Sequence, residues 1–154
     1  MKNRAATESR KSVKITLDED YSRFGIYAYN PGEITIIRPN EAYNPDNDDF
    51  GHKTLKKETL TNSLIIMPRC LISDWAPRTI DDLASQHFDV FPGKPPQILL
   101  LGTGAGHHWP PAETLASLTN QGVAVEVMDT AAACRTYAIL ASDGRDVGAA
   151  LLIE

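Results

Sequence analysis

Only two of the 154 residues are cysteine, Cys70 and Cys134, so no disulfide framework holds this chain together. An isolated pair fits reduced thiols, and the chain reads as cytoplasmic. Long apolar runs are missing too. The longest, Leu64-Ile65-Ile66-Met67 and Ile98-Leu99-Leu100-Leu101, are strand-sized and far short of the ~18 residues of a membrane span. Met1 to Lys11 is polar, lacks the apolar centre of a signal peptide, and reads as a flexible tail before a single domain over residues 12–154. A basic excess is also absent: 15 Lys+Arg stand against 20 Asp+Glu, a net charge of -5. Binding a phosphate backbone needs the opposite balance, so nucleic acid is not an expected partner.

Signatures of chemistry are equally sparse. Zinc sites advertise their ligand spacing, and no C-x-x-C or H-x-x-x-H accompanies the adjacent His107 and His108, so no metal is expected. Asp46-Asn47-Asp48-Asp49 resembles the start of a calcium loop, but Lys57 stands where the bidentate glutamate is required. No G-x-S-x-G elbow or Ser/His/Asp arrangement is readable, and no cofactor is implied.

What is present is a change of pattern along the chain. Through Pro77 there are 11 basic and 11 acidic residues; from Arg78 onward there are 4 and 9, so the net negative charge belongs to the second half. Apolar residues alternate in the first half: Val13, Ile15, Leu17; Phe24, Ile26, Ala28; Ile34, Ile36. Period two means strands with one buried face, and Asn30-Pro31-Gly32 is a turn, so Phe24 to Ile37 reads as a β-hairpin. Glu41 to His52 reads as a polar loop.

In the second half the apolar runs are continuous and separated by helical segments. The pattern predicts a short helix from Thr79 to His87, strands at Ile98–Leu101, Val123–Val127 and Val147–Ile153, and helices after Pro110-Pro111 and over Thr130 to Ala141. Continuous apolar strands alternating with helices indicate a sheet covered on both faces. The expected fold is α/β: a three-layer β+α/β/α unit with a mostly parallel central sheet, preceded by an antiparallel β-hairpin subdomain.

Two segments invite a functional reading. Gly102-Thr103-Gly104 directly follows a strand, where backbone N–H groups and a helix start make a natural anion site. The spacing is neither a dinucleotide fingerprint nor a phosphate-binding Walker loop, so a plain strand-to-helix connection is the other reading. Asp129 or Thr130 caps the alanine-rich helix that carries Cys134 and Arg135. Such a helix is expected to be enclosed on most sides, which would bury Arg135. A buried guanidinium must meet a carboxylate, such as Asp129 or Glu126, or a ligand anion. Cys134 near the helix start reads as a small core residue or, with His107 or His108 as base, a nucleophile.

The run Leu99-Leu100-Leu101-Gly102-Thr103-Gly104, then Pro110-Pro111, then Gly122-Val123-Ala124-Val125-Glu126-Val127-Met128-Asp129-Thr130-Ala131-Ala132-Ala133-Cys134-Arg135-Thr136-Tyr137 resembles the family called domain of unknown function 498/598. That family is related to a mitochondrial assembly factor for NADH dehydrogenase complex I. The resemblance implies a three-layer β+α/β/α fold and a role in association with other proteins. The chain departs from the pattern at Ala105-Gly106-His107-His108-Trp109 and at Ala138.

Two functions follow. The first is a non-enzymatic interaction or assembly-factor-like module with a protein partner, for which Trp75, Trp109, Tyr27 and Tyr29 are candidate contacts. The second is a small-anion site, binding or catalytic, formed by Gly102, Thr103, Gly104, Asp129, Thr130 and Arg135. Exposed hairpin edges make a homodimer a further candidate.

Overall fold

The computed structural model describes residues 13–14, 22–39 and 56–154. The expected tail, the first strand beyond Lys14 and the loop Glu41 to His52 lie outside the described residues.

Strands β1 (Val13–Lys14), β2 (Gly25–Asn30), β3 (Glu33–Arg38) and β4 (Lys56–Leu60) form an antiparallel sheet in that order. The expected hairpin is present, with Asn30 paired to Glu33 across a two-residue turn. Proline suits the first turn position, and Gly32 takes the second at φ 83°, where a side chain would be strained. Ile26, Ile34 and Ile36 are fully buried on one face. Strand β4 is a difference from the sequence reading, because Lys56-Lys57-Glu58-Thr59-Leu60 has no apolar alternation. It pairs with β3 along the backbone, with the Thr35 and Thr59 hydroxyls 2.9 Å apart and Arg38 ion-paired to Glu58. A polar edge strand is specified by its neighbour rather than by its own pattern.

Strands β5 (Leu64–Met67), β6 (Cys70–Ile72), β7 (Ile98–Gly102), β8 (Ala124–Met128) and β9 (Val147–Leu151) form a second sheet in the order β6-β5-β9-β7-β8. This sheet is mixed, which corrects the expectation of a mostly parallel one. Strands β9, β7 and β8 are parallel, whereas β5 is antiparallel to both β6 and β9. The physical reason for the β5–β6 pair is its turn. Two residues, Pro68-Arg69, can only reverse the chain, while parallel neighbours need a crossover of about a dozen residues. Helices α1 (Ala112–Thr119) and α2 (Thr130–Ser142) supply those crossovers.

The helix expected from Thr79 to His87 is instead two 3-10 turns, Ile80–Asp82 and Ser85–Phe88. The Asp82 carboxylate accepts the Thr79 and Arg78 N–H groups, each at 3.2 Å, and His87 Nδ1 accepts the Ala84 N–H at 2.9 Å. These side-chain acceptors close two short turns, and Leu83 between them is extended. The Thr79 and Arg78 N–H groups also hold the Asp82 carboxyl below its ordinary pKa.

Alternation along the strands of the second sheet divides the interior into two clusters. Leu64, Ile66, Leu100, Ala149 and Leu151 pack with Cys134 and Tyr137 of α2 and with the isoleucines of the first sheet. Ile65, Leu99, Leu101 and Ala150 pack with Leu118 of α1, Trp75 and Phe88. Each fully buried Leu or Ile contributes about 2 kcal/mol relative to exposure. Strand β9 is buried throughout, and its Gly148-Ala149-Ala150 core suits cover on both faces.

Candidate functional site

The carboxyl ends of β7, β8 and β9 meet at one end of the second sheet. There Gly102 stands in register with both Met128 and Leu151. The loop after β7, the start of α2 and the C-terminal residues therefore share a small volume. Five of the six anticipated site residues gather here.

Their polar groups are consumed by one another. The Thr103 N–H donates to the Met128 carbonyl at 2.9 Å, and the Thr130 N–H to the Gly104 carbonyl at 2.9 Å. The Gly104 N–H donates to the Thr130 hydroxyl at 2.8 Å, and that hydroxyl donates to the Leu152 carbonyl at 2.8 Å. The Leu152 N–H returns to the Gly102 carbonyl at 2.9 Å. The Thr103 hydroxyl donates to the Gly106 carbonyl and accepts the His108 N–H at 3.2 Å. Thr103 and Thr130 are fully buried. Asp129 caps α2 by accepting the Ala132 N–H at 2.8 Å, so a carboxylate already occupies the helix N-terminus.

The glycines explain how closely the segments approach. A Cβ on Gly102 would stand 2.9 Å from the Thr130 Cα, and Gly104, at φ 90°, would place one 2.8 Å from the Glu154 carboxyl carbon. The backbone passes where side chains do not fit. These contacts fasten three chain segments.

Arg135 is placed elsewhere. On α2 the buried positions are Thr130, Ala133, Cys134, Tyr137, Ala138 and Ala141, spaced as one helical face. Arg135 and Ile139 lie on the exposed face, four residues apart. This corrects the expectation of a helix enclosed on most sides, in which Arg135 is buried with Asp129 or Glu126. Alanine in the outward positions misleads because it tolerates both burial and solvent. Among the described residues Arg135 makes no ion pair.

Cys134 is fully buried, and burial pushes its thiol up to about 12, with Arg135 lowering it and Asp129 raising it by smaller amounts. A thiol held protonated is a core group and a poor nucleophile. Tyr29 from β2 approaches the same region. Its phenol is raised by partial burial and then by Cys134, Asp129 and Glu154. Sequence spacing gives no hint of that neighbour, because only the packing of the two sheets brings it there.

His107, His108 and Trp109 are exposed beyond the loop, with the His107 and Trp109 ring centroids 5.4 Å apart. Among the described residues no group of three or more His, Cys, Asp or Glu gathers as for a metal. Of the anticipated contact aromatics, Trp109 is 70% exposed, while Trp75 is 4% exposed. Trp75 is a core residue whose ring is tilted at 52° to that of Phe88, centroids 5.6 Å apart, and it donates its indole N–H to the His87 carbonyl at 2.8 Å. Tyr27 is half-buried, with the Lys57 ammonium 3.7 Å from its ring centroid. Among the described residues no helix is long and apolar enough to cross a membrane.

Similarity to known proteins agrees with this geometry. The zebrafish protein named NADH dehydrogenase [ubiquinone] 1 alpha subcomplex assembly factor 3 is 30% identical over 145 residues, 93% of this chain and 72% of the relative. The 13 kDa major membrane protein of Francisella tularensis is 33% identical over 76 residues, 47% of this chain and 62% of the relative. The crystal structure of a Bordetella parapertussis protein superposes with a TM-score of 0.68 at 28% identity, covering 86% of this chain and 98% of that one. The model of a family of proteins of unknown function, DUF498/DUF598, matches residues 46–152. The chain belongs to the DUF498/DUF598 family.

Proposed function

We propose that this chain is a non-enzymatic interaction module, similar in role to the assembly factors it resembles. The observation that carries this reading is Trp109. A tryptophan 70% exposed beside His107, at the end of the molecule where three strand ends are clasped, is a ready anchor for a protein partner. The names of the relatives support an assembly role. The alternation of strand residues between two clusters supports a three-layer β+α/β/α arrangement. The free cysteines Cys70 and Cys134 support a reducing, cytoplasmic setting.

The experiment is site-specific photocrosslinking in cells, with the crosslinker at position 109 and, as a control, at the exposed Asp81. One defined partner joined at position 109 and not at 81 supports the reading. Equal, diffuse crosslinking at both positions overturns it. A small-anion site between Gly102-Thr103-Gly104 and Arg135 has less support, because the loop N–H groups and the Thr130 hydroxyl already have partners. A homodimer through β4 also has less support, since Lys56 and Lys57 on an edge strand discourage pairing.

A further inference from the structure

The opposite end of the second sheet, beyond the starts of β7 and β9, is open. The Pro68-Arg69 turn, the segment Phe91 to Lys94 and the turn Gly144 to Asp146 enclose a cleft of about 390 Å³. Of the nine lysines and arginines whose side chains are described, four line it: Arg23, Arg69, Lys94 and Arg145. Asp146 is the one carboxylate among the lining residues, and its Oδ2 already accepts the Gln97 N–H at 3.2 Å. Arg23 is anchored by donating to the Ala141 carbonyl in the last turn of α2. Arg69, Lys94 and Arg145 are exposed, and among the described residues none of them is ion-paired.

Such a gathering is unexpected in a chain of net charge -5. Like charges repel, and a cleft with low-dielectric walls focuses their field, so an anion placed there relieves the repulsion. Three of the other cations have local partners: Arg38 has Glu58, Lys57 has the Tyr27 ring, and Arg78 has Asn62. Arginine presents forked donors that match phosphate oxygens, and lysine adds a point charge. Met67, Phe91 and Pro92 add an apolar wall. The surrounding backbone is tied: Phe24 N–H to the Pro68 carbonyl at 2.9 Å, Ile98 N–H to the Asp146 carbonyl at 3.1 Å, and Arg145 N–H to the Leu140 carbonyl at 3.0 Å. The turns that carry Arg69 and Arg145 are therefore held in place before a ligand arrives.

We propose that this cleft binds the phosphate group of a small organic phosphate, with Arg69, Lys94 and Arg145 as its cationic ligands and Phe91 against the organic part. Such a phosphate is either a soluble metabolite's or a phospholipid headgroup's. The test titrates the ¹⁵N-labelled full chain with phenyl phosphate and, in parallel, cosediments it with phosphatidylglycerol and phosphatidylcholine vesicles. Phenyl phosphate should give saturating amide shifts at residues 69–70, 93–94 and 144–146 with a dissociation constant below about 1 mM. Binding only to phosphatidylglycerol vesicles would instead assign the headgroup, and either result supports the proposal. Arg69→Gln/Arg145→Gln should weaken binding at least about tenfold, whereas Arg38→Gln/Arg78→Gln, with the same change in net charge, should leave it unchanged. Lys94→Gln is an independent second variant with the same expected direction. No saturable binding of either probe, or equal loss in the cleft and control variants, overturns the proposal.

Discussion

Gly102 meets Thr130 backbone to backbone: a Cβ on the glycine would stand 2.9 Å from the Thr130 Cα and 3.0 Å from its hydroxyl oxygen. Neither atom can retreat, because the Thr130 hydroxyl is fixed between the Gly104 N–H and the Leu152 carbonyl. Gly102→Ala should therefore cost about 2–3 kcal/mol through overpacking. Gly122→Ala is the comparison, since its φ of 81° is unfavourable but nothing lies within 4 Å of the new methyl. It should cost only about 1 kcal/mol. Urea denaturation of both variants checks the order.

Thr130→Val keeps the shape and removes the hydroxyl, leaving the Gly104 N–H and the Leu152 carbonyl without their buried partner. The expected loss is about 3 kcal/mol, against about 1 kcal/mol for Thr130→Ser, which keeps both hydrogen bonds. Asp129→Ala should cost about 1 kcal/mol as a lost N-cap. Thermal and urea unfolding report all three.

Alkaline pH should destabilise the protein, because a buried thiol and a buried phenol keep their protons in the folded chain. Burial pushes the Cys134 thiol from 9.0 up to about 12, and burial likewise raises the Tyr137 phenol, which donates to the Phe24 carbonyl at 2.9 Å. In the unfolded chain Cys134 loses its proton near the ordinary thiol value of 9.0, while the folded chain retains it. Stability is therefore fully present below pH ~9 and falls as pH rises toward ~12, by up to about 1.4 kcal/mol per pH unit for each such group. Cys134→Ala should flatten this decline. With a thiol reagent at pH 8, the half-buried Cys70 should react in the native state and Cys134 only on unfolding.

The two tryptophans should separate by role. Trp75→Ala removes a buried ring and its hydrogen bond to the His87 carbonyl, at an expected cost of about 3–5 kcal/mol. Trp109→Ala should change stability by less than about 0.5 kcal/mol, since the ring is largely in solvent. If Trp109 anchors a partner, that same variant should abolish the crosslink made from a probe at the adjacent, exposed position 108. Denaturation measures the first pair of effects and crosslinking the second.

The candidate site was legible in composition and only partly in arrangement. Glycine after a strand and Asp129 before an alanine run announced a tight turn and a capped helix, and both are present. The sequence could not say that the turn's N–H groups are taken, because their acceptors, Met128 and Thr130, lie 25 and 26 residues away. The exposure of Arg135 left no mark in the sequence, because alanines at positions 131 and 132 look equally at home inside or outside. Arg23, Arg69, Lys94 and Arg145 carried no signal, being spread over more than a hundred residues and at the end of the strands opposite to the one that loops usually serve.

By itself the sequence determined the hairpin around Pro31-Gly32, the alternating and continuous apolar strands, and the cap at Asp129. These depend on φ preferences, periodicity and hydrogen bonds that close within a few residues. It also carried the family resemblance, in the long run from Gly122 to Tyr137. Tertiary structure alone decided that β5 runs antiparallel to β9, that the polar β4 is a strand, and which cations share a cleft. Those outcomes rest on pairings between distant segments. A backbone ladder or a field from converging turns leaves no local pattern to read, because each residue involved would be equally stable with another neighbour.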